Sequence, residues 1–248
     1  MKRLSKYLFI VIIVIAGIAF LGLKKNIHLQ NMQIHETEHF TIYYELLEKE
    51  TLVDIEQILE GKYPVMQTFF GLAEDQKGRI VVYENVARFQ RAYLGIILSL
   101  VYGDWASGAA YQDMVLVTSP ENPGLQHTYD DTLEIVVHEY VHTLVYQLNG
   151  MPNIWLDEGV ATYLAGQESQ LPSQAPTFEA MQAKDMNTFL ENDGYAFSYM
   201  YVEFLERTYG SEQIVRLIET NDYEGVFGKS ALDIYNEWLV YLGMERST

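Results

Sequence analysis

The sequence contains no cysteine. That excludes disulfide bonds, thiolate ligation of a metal and lipid attachment through a cysteine thiol. It leaves the compartment open, because a core of this size can hold without covalent staples. Positive charge is the second scarcity. The first 25 residues hold five lysines and arginines and no acid, so the rest carries 11 basic and 34 acidic residues, a net of −23. A domain that acidic is a poor partner for nucleic acid or anionic lipid, although it can attract basic molecules at long range. No internal repeat is evident. Apolar side chains, by contrast, are plentiful: 49% of residues are hydrophobic and 13% aromatic, with 19 tyrosines, which argues against disorder.

The charge asymmetry divides the chain. Residues 2–6 are basic, and residues 8–23 form an uninterrupted run of apolar side chains and glycine. As a helix that run spans roughly 24 Å, slightly short of a hydrocarbon core of about 30 Å. Lys24 and Lys25 follow it and can extend its reach by snorkelling. The basic excess before the run favours an N-terminus inside and a C-terminus outside. Gly17-Ile18-Ala19 suits a cleavage site, but the apolar run continues to Leu23, which favours an uncleaved anchor. Both readings export the remainder. The expectation is therefore a single-pass transmembrane anchor over residues 1–25 and an extracytoplasmic domain over residues 26–248.

Within that domain, residues 39–44, 79–83 and 113–118 read as strands, and residues 51–70 and 85–94 as helices. From about residue 126 onward the pattern is helical. The expected fold class is α+β, with a mixed strand and helix part over residues 26–125 and a mainly helical part over residues 126–248. The Gln-, Ser- and Pro-rich stretch 166–176 interrupts the helices and can cover part of a cleft.

One stretch carries recognisable chemistry: His138-Glu139-Tyr140-Val141-His142. On a helix, positions i and i+4 lie on the same face, so two imidazoles can reach one ion, and the intervening carboxylate can reach a water held there. Residues 129–132 offer start signals, and Gly150 with Pro152 offers a stop. The helix between is apolar over most of its surface and so expected to be buried. Burial makes a partner for the histidines and Glu139 necessary, and a metal supplies one. Two core histidines satisfied by hydrogen bonds are the plainer alternative. Catalytic zinc usually takes three protein ligands, and Trp155-Leu156-Asp157-Glu158-Gly159, on a second helix returning after a short link, can bring Glu158 back as the third.

These two motifs resemble those of gluzincin metallopeptidases, in which H-E-x-x-H is followed by a helix bearing the glutamate ligand within W-L-x-E-G. Their spacing is shorter than in thermolysin-like or aminopeptidase members and looks more like the compact peptidase-MA-like proteins. The resemblance implies a zincin-like fold, a Zn²⁺ cofactor held by His138, His142 and Glu158, and a peptide or protein substrate. It also implies Glu139 as general base and then general acid. Tyr195, at the start of a later helix, is the candidate donor to the oxyanion, with packing as its other reading. Asp157 or Thr162 can orient a ligand histidine, and Asp157 can equally be a surface charge. Zincin substrates commonly pair with an edge strand, for which residues 108–110 or 115–117 are candidates. Gly108-Ala109-Ala110-Tyr111-Gln112 stands where related aminopeptidases carry G-A-M-E-N, without the glutamate that grips a free amine. That tilts the expectation toward an endopeptidase. Two other readings stand beside it: a non-catalytic binding or sensory module on the same fold, and zinc-dependent hydrolysis of a non-peptide bond.

Overall fold

Strand composition already dictates which sheet positions are buried on both faces. Residues 80–82 and 115–117 are continuous apolar runs, the pattern of strands covered on two sides rather than one. The computed structural model describes residues 27–73, 77–99, 106–149 and 152–244. The apolar run 8–23 lies outside them, and among the described residues no helix is long and apolar enough to cross a membrane.

Five strands form one sheet: β1 (Gln33–Glu36), β2 (Phe40–Tyr44), β3 (Gly78–Tyr83), β4 (Gly108–Tyr111) and β5 (Met114–Thr118). Their spatial order is β1-β2-β3-β5-β4. β2, β3 and β5 run parallel, β1 is antiparallel to β2, and β4 is antiparallel to β5. β4 is thus an edge, and β5 is internal, which removes residues 115–117 as an edge candidate. A two-residue turn joins β4 to β5, with Gln112 at φ 57°. β1 has no counterpart among the expected strands; it is short, polar at three of its four positions, and exposes Ile34.

On one face of the sheet, Phe40, Ile42, Ile80, Val82, Val115 and Val117 join the main core. Helix α1 (Lys49–Phe70) adds Ile55, Leu59 and Met66 to it. The opposite face, with Val81, Leu116 and Ala109, is covered by α2 (Val86–Ser99) through Phe89 and Ala92. Helical geometry breaks in α2 at Gly95 (φ 79°), one residue beyond the expected end.

The helical part consists of α3 (Tyr129–Leu148), α4 (Ile154–Ala165), α5 (Phe178–Gln182), α6 (Met186–Glu191), α7 (Gly194–Tyr209), α8 (Ser211–Thr220), α9 (Tyr223–Phe227) and α10 (Ala231–Leu242). α3 starts one residue earlier than its acidic turn suggests. Thr128 is the cap, accepting from the Asp131 N–H while Asp131 accepts from the Thr128 N–H. This reciprocal box satisfies two amides that would otherwise lack partners. Val136, Val137, Val141 and Val145 of α3 are fully buried, as the apolar surface requires. α4, capped by Asn153, packs between α3 and α7. Gly159 permits the second contact: a Cβ there would stand 2.6 Å from the Ser198 carbonyl oxygen of α7.

Candidate metal centre

α3 sets His138 and His142 one turn apart on one face, and α4 lays Glu158 against both. His138 is 8% exposed, His142 5% and Glu158 9%. The two Nε2 atoms are 3.0 Å apart. Glu158 Oε2 lies 3.2 Å from His138 Nε2 and 3.6 Å from His142 Nε2. Among the described residues this is the one His/Asp/Glu group whose ligand atoms converge closely enough to hold an ion.

The outer ring nitrogens determine what the inner ones can do. His142 Nδ1 is 2.7 Å from Asp157 Oδ1, and His138 Nδ1 is 2.8 Å from Gln167 Oε1. A neutral imidazole has one N–H, and these acceptors claim it on each ring. Both Nε2 lone pairs therefore face each other and a carboxylate oxygen, Glu158 Oε2, which is buried and has no hydrogen-bond donor. Such an arrangement is repulsive unless positive charge sits at its centre. Two neutral core histidines leave it unsatisfied, whereas a metal ion, or a proton on one ring held by Glu158, satisfies it. Ligand atoms held at roughly 2.0–2.1 Å by a tetrahedral zinc stand about 3.3–3.4 Å apart, and the three separations found here bracket that value. The residues fit a zinc ion.

The electrostatics point the same way. Burial opposes charge on His142, but Asp157 and Glu158 outweigh it and raise its pKa well above the ordinary value. Burial likewise opposes ionisation of Glu158, and the two imidazoles outweigh it and hold its carboxyl well below the usual range. These shifts describe a proton standing where an ion would: Asp157 and Glu158 favour a second proton on His142, and that charge in turn keeps Glu158 ionised.

Glu139 lies on the floor of a cleft of about 470 Å³ whose lining also includes His138, Gly108, Gln167 and Tyr195. Burial pushes its pKa up, Glu158 adds to the shift, and the two histidines and the Ala110 N–H oppose it. Gly108 is essential to this contact, since a Cβ there would meet Ile135 Cγ2 at 2.6 Å and Glu139 Cγ at 2.9 Å. The β4 edge thus runs directly over Glu139. Tyr195, 43% exposed, stands on the same cleft with its ring against Phe189. Burial and the charges of Glu158 and Glu139 raise the pKa of its phenol.

His138, His142 and Glu158 thus converge, with Asp157 behind His142, and Glu139, Gly108 and Tyr195 line the cleft beside them. Asp157 is a buried partner of His142, not a surface charge, whereas the Thr162 hydroxyl bonds to carbonyls of its own helix at Glu158 and Gly159. Two participants were not anticipated. Tyr146 stacks on His142, ring centroids 5.8 Å apart, and its i+4 spacing from that histidine was a readable signal. Gln167 had none, because its partner lies 29 residues earlier in the chain.

The class defined by fold and site is an α+β protein, with a five-stranded sheet and a mostly helical remainder, bearing a buried His-His-Glu group able to bind a metal ion. No family model matches the sequence, and no curated protein matches it. Among solved structures, a point mutant of the M1 zinc metallopeptidase from Deinococcus radiodurans aligns with 89% of this chain at 13% identity and a TM-score of 0.38. The alignment covers 48% of that protein, so this chain spans about half its length.

Proposed function

We propose that this protein is a zinc metallopeptidase, acting as an endopeptidase outside a membrane to which residues 8–23 tether it. The observation that carries the reading is the convergence of His138 Nε2, His142 Nε2 and Glu158 Oε2 beside Glu139 on a cleft floor. Neutral His138 and His142 and ionised Glu158 would hold the ion. Zinc, when bound, supplies the Lewis acidity that polarises a carbonyl and activates a water. Glu139, beside His138 on the cleft, would take the proton of the attacking water and pass it to the leaving amine. The β4 edge offers backbone groups to an extended peptide passing over Glu139. Tyr195, on the wall of the same cleft, can donate its phenol proton to the oxyanion.

Two observations support internal bonds as the target. The stretch 108–112 contains no acid to hold a substrate amine. Among the described residues lining the cleft there is no lysine or arginine to hold a substrate carboxylate. The decisive experiment is metal analysis of the purified full chain with a peptide-cleavage assay on the Glu139→Gln variant. Stoichiometric zinc in both proteins, with cleavage by the parent alone, is expected. Absence of zinc from the parent refutes the proposal.

A further inference from the structure

α4 ends at Gly166, whose φ of 85° turns the chain back. The Gly166 and Gln167 amides close on the Thr162 carbonyl at 3.0 and 2.9 Å. That turn delivers the Gln167 side chain to His138, with Oε1 2.8 Å from Nδ1. Gln167 is also the second residue of segment 166–176, which contributes Gln167 and Ser169 to the cleft wall. At the far end the segment is fastened to α10, where the Tyr235 hydroxyl donates to the Pro176 carbonyl at 2.8 Å, and Ala175 is buried. Residues 168–170 and 173–174, between the two fastenings, are exposed.

His138 can offer Nε2 to a metal only while its proton sits on Nδ1. That same proton is the one Gln167 Oε1 accepts. The opposite tautomer points an N–H at the neighbouring histidine and turns a bare Nδ1 toward the amide oxygen, so it loses the metal and the hydrogen bond together. The geometry points to Gln167 as a positioning residue that couples metal binding at His138 to the anchoring of segment 166–176 over the cleft. The coupling is reciprocal: whatever factor the hydrogen bond contributes to metal affinity, the metal contributes to the hydrogen bond. His142 has a charged partner in Asp157, whereas His138 has a neutral one on a loop. Only the second partner can transmit metal occupancy to a segment lining the cleft.

This inference rests on the zinc reading, and its test separates the two. Zinc affinity is measured by chelator competition on the full chain and on Gln167→Leu and Gln167→Glu. Hydrogen exchange of the amides of residues 168–171, 173 and 174 (Pro172 has none) is followed with and without zinc. Gln167→Leu removes the acceptor and should weaken zinc by about 10–100-fold, the usual effect of losing such a partner. Gln167→Glu keeps an acceptor and should restore affinity to at least the parent value. Zinc should slow exchange of 168–174 in the parent and in Gln167→Glu, and leave it unchanged in Gln167→Leu. If Gln167→Leu does not fold, Gln167→Asn withdraws the acceptor by one methylene and should show the same two losses. Parent-like affinity in the acceptor-deficient variant, or equal zinc protection of the segment in it, overturns the coupling and leaves the zinc reading intact. A parent chain that takes up no zinc overturns both.

Discussion

His142 Nδ1 and Asp157 Oδ1 are 2.7 Å apart, and both groups are buried. Asp157 immediately precedes Glu158, so one turn of α4 supplies one member of the His-His-Glu group and a partner for another. The carboxylate holds the imidazole in the tautomer whose Nε2 is free, and its charge makes that nitrogen a stronger donor. Asp157→Asn retains an acceptor but loses the charge, and Asp157→Ala loses both. Zinc affinity should fall by about 10-fold for the first and toward about 100-fold for the second, as measured by chelator competition. Equal affinity in all three proteins would show that Asp157 plays no part in holding the metal.

Gly108 controls the distance between the β4 edge and Glu139. A methyl group there would press on Ile135 and Glu139 at once, and neither contact is to the far end of a flexible chain. Gly108→Ala should displace the edge strand at a cost of about 1–3 kcal/mol. Because His138, His142 and Glu158 are untouched, zinc content should stay stoichiometric while peptide turnover drops. The paired measurement is metal content and kcat/KM. Loss of zinc together with activity would place the damage in the metal site and contradict this geometry.

Acid sensitivity should trace in part to Glu60 on α1. Its carboxylate accepts from the His39 backbone N–H at 2.9 Å, and the His39 ring lies 2.6 Å away. Burial opposes its ionisation, but these bonds and one from Thr37 outweigh it and lower its pKa. A carboxyl whose folded pKa lies below its unfolded value near 4.5 contributes stability above that value and loses it as pH falls through the folded one. Glu60→Gln should therefore cost stability at neutral pH and flatten the decline below about pH 4.5, read as urea midpoints across the range. A parallel decline in both proteins would assign the acid response to other carboxylates, among them Glu36, Asp131 and Asp233, whose pKa values are also lowered.

What could be read ahead of the structure was whatever short-range pattern encodes. β2, β3 and β5 announce themselves as runs of aromatic and β-branched residues, and α1 by its 3.6-residue apolar spacing. His138 and His142 share a face because of their i+4 spacing alone. Long-range facts were less accessible. Sheet order does not follow from strand order, so only the structure shows β4 as an edge and β5 as internal. β1 is too short and too polar to stand out; its pairing with β2 makes it a strand. Gln167 depends on where α4 stops and how Gly166 turns, a tertiary relation that no local pattern reports. Asp157 was ambiguous for a related reason. A carboxylate in the first turn of a helix serves the helix dipole as well as it serves a histidine, and only packing decides.

Tyr195 offers the sharpest test of the mechanism, because its two roles make different predictions. It lies in the first turn of α7, rests edge-on against Phe189 and lines the same cleft as Glu139. If it only packs, Tyr195→Phe keeps the ring contact and should leave both kcat and KM near parent values. If its hydroxyl donates to the developing oxyanion, the same change should lower kcat by about 10²–10³-fold with zinc content and KM nearly unchanged. A kcat for Tyr195→Phe within a few-fold of the parent would return Tyr195 to packing and leave the oxyanion to another donor.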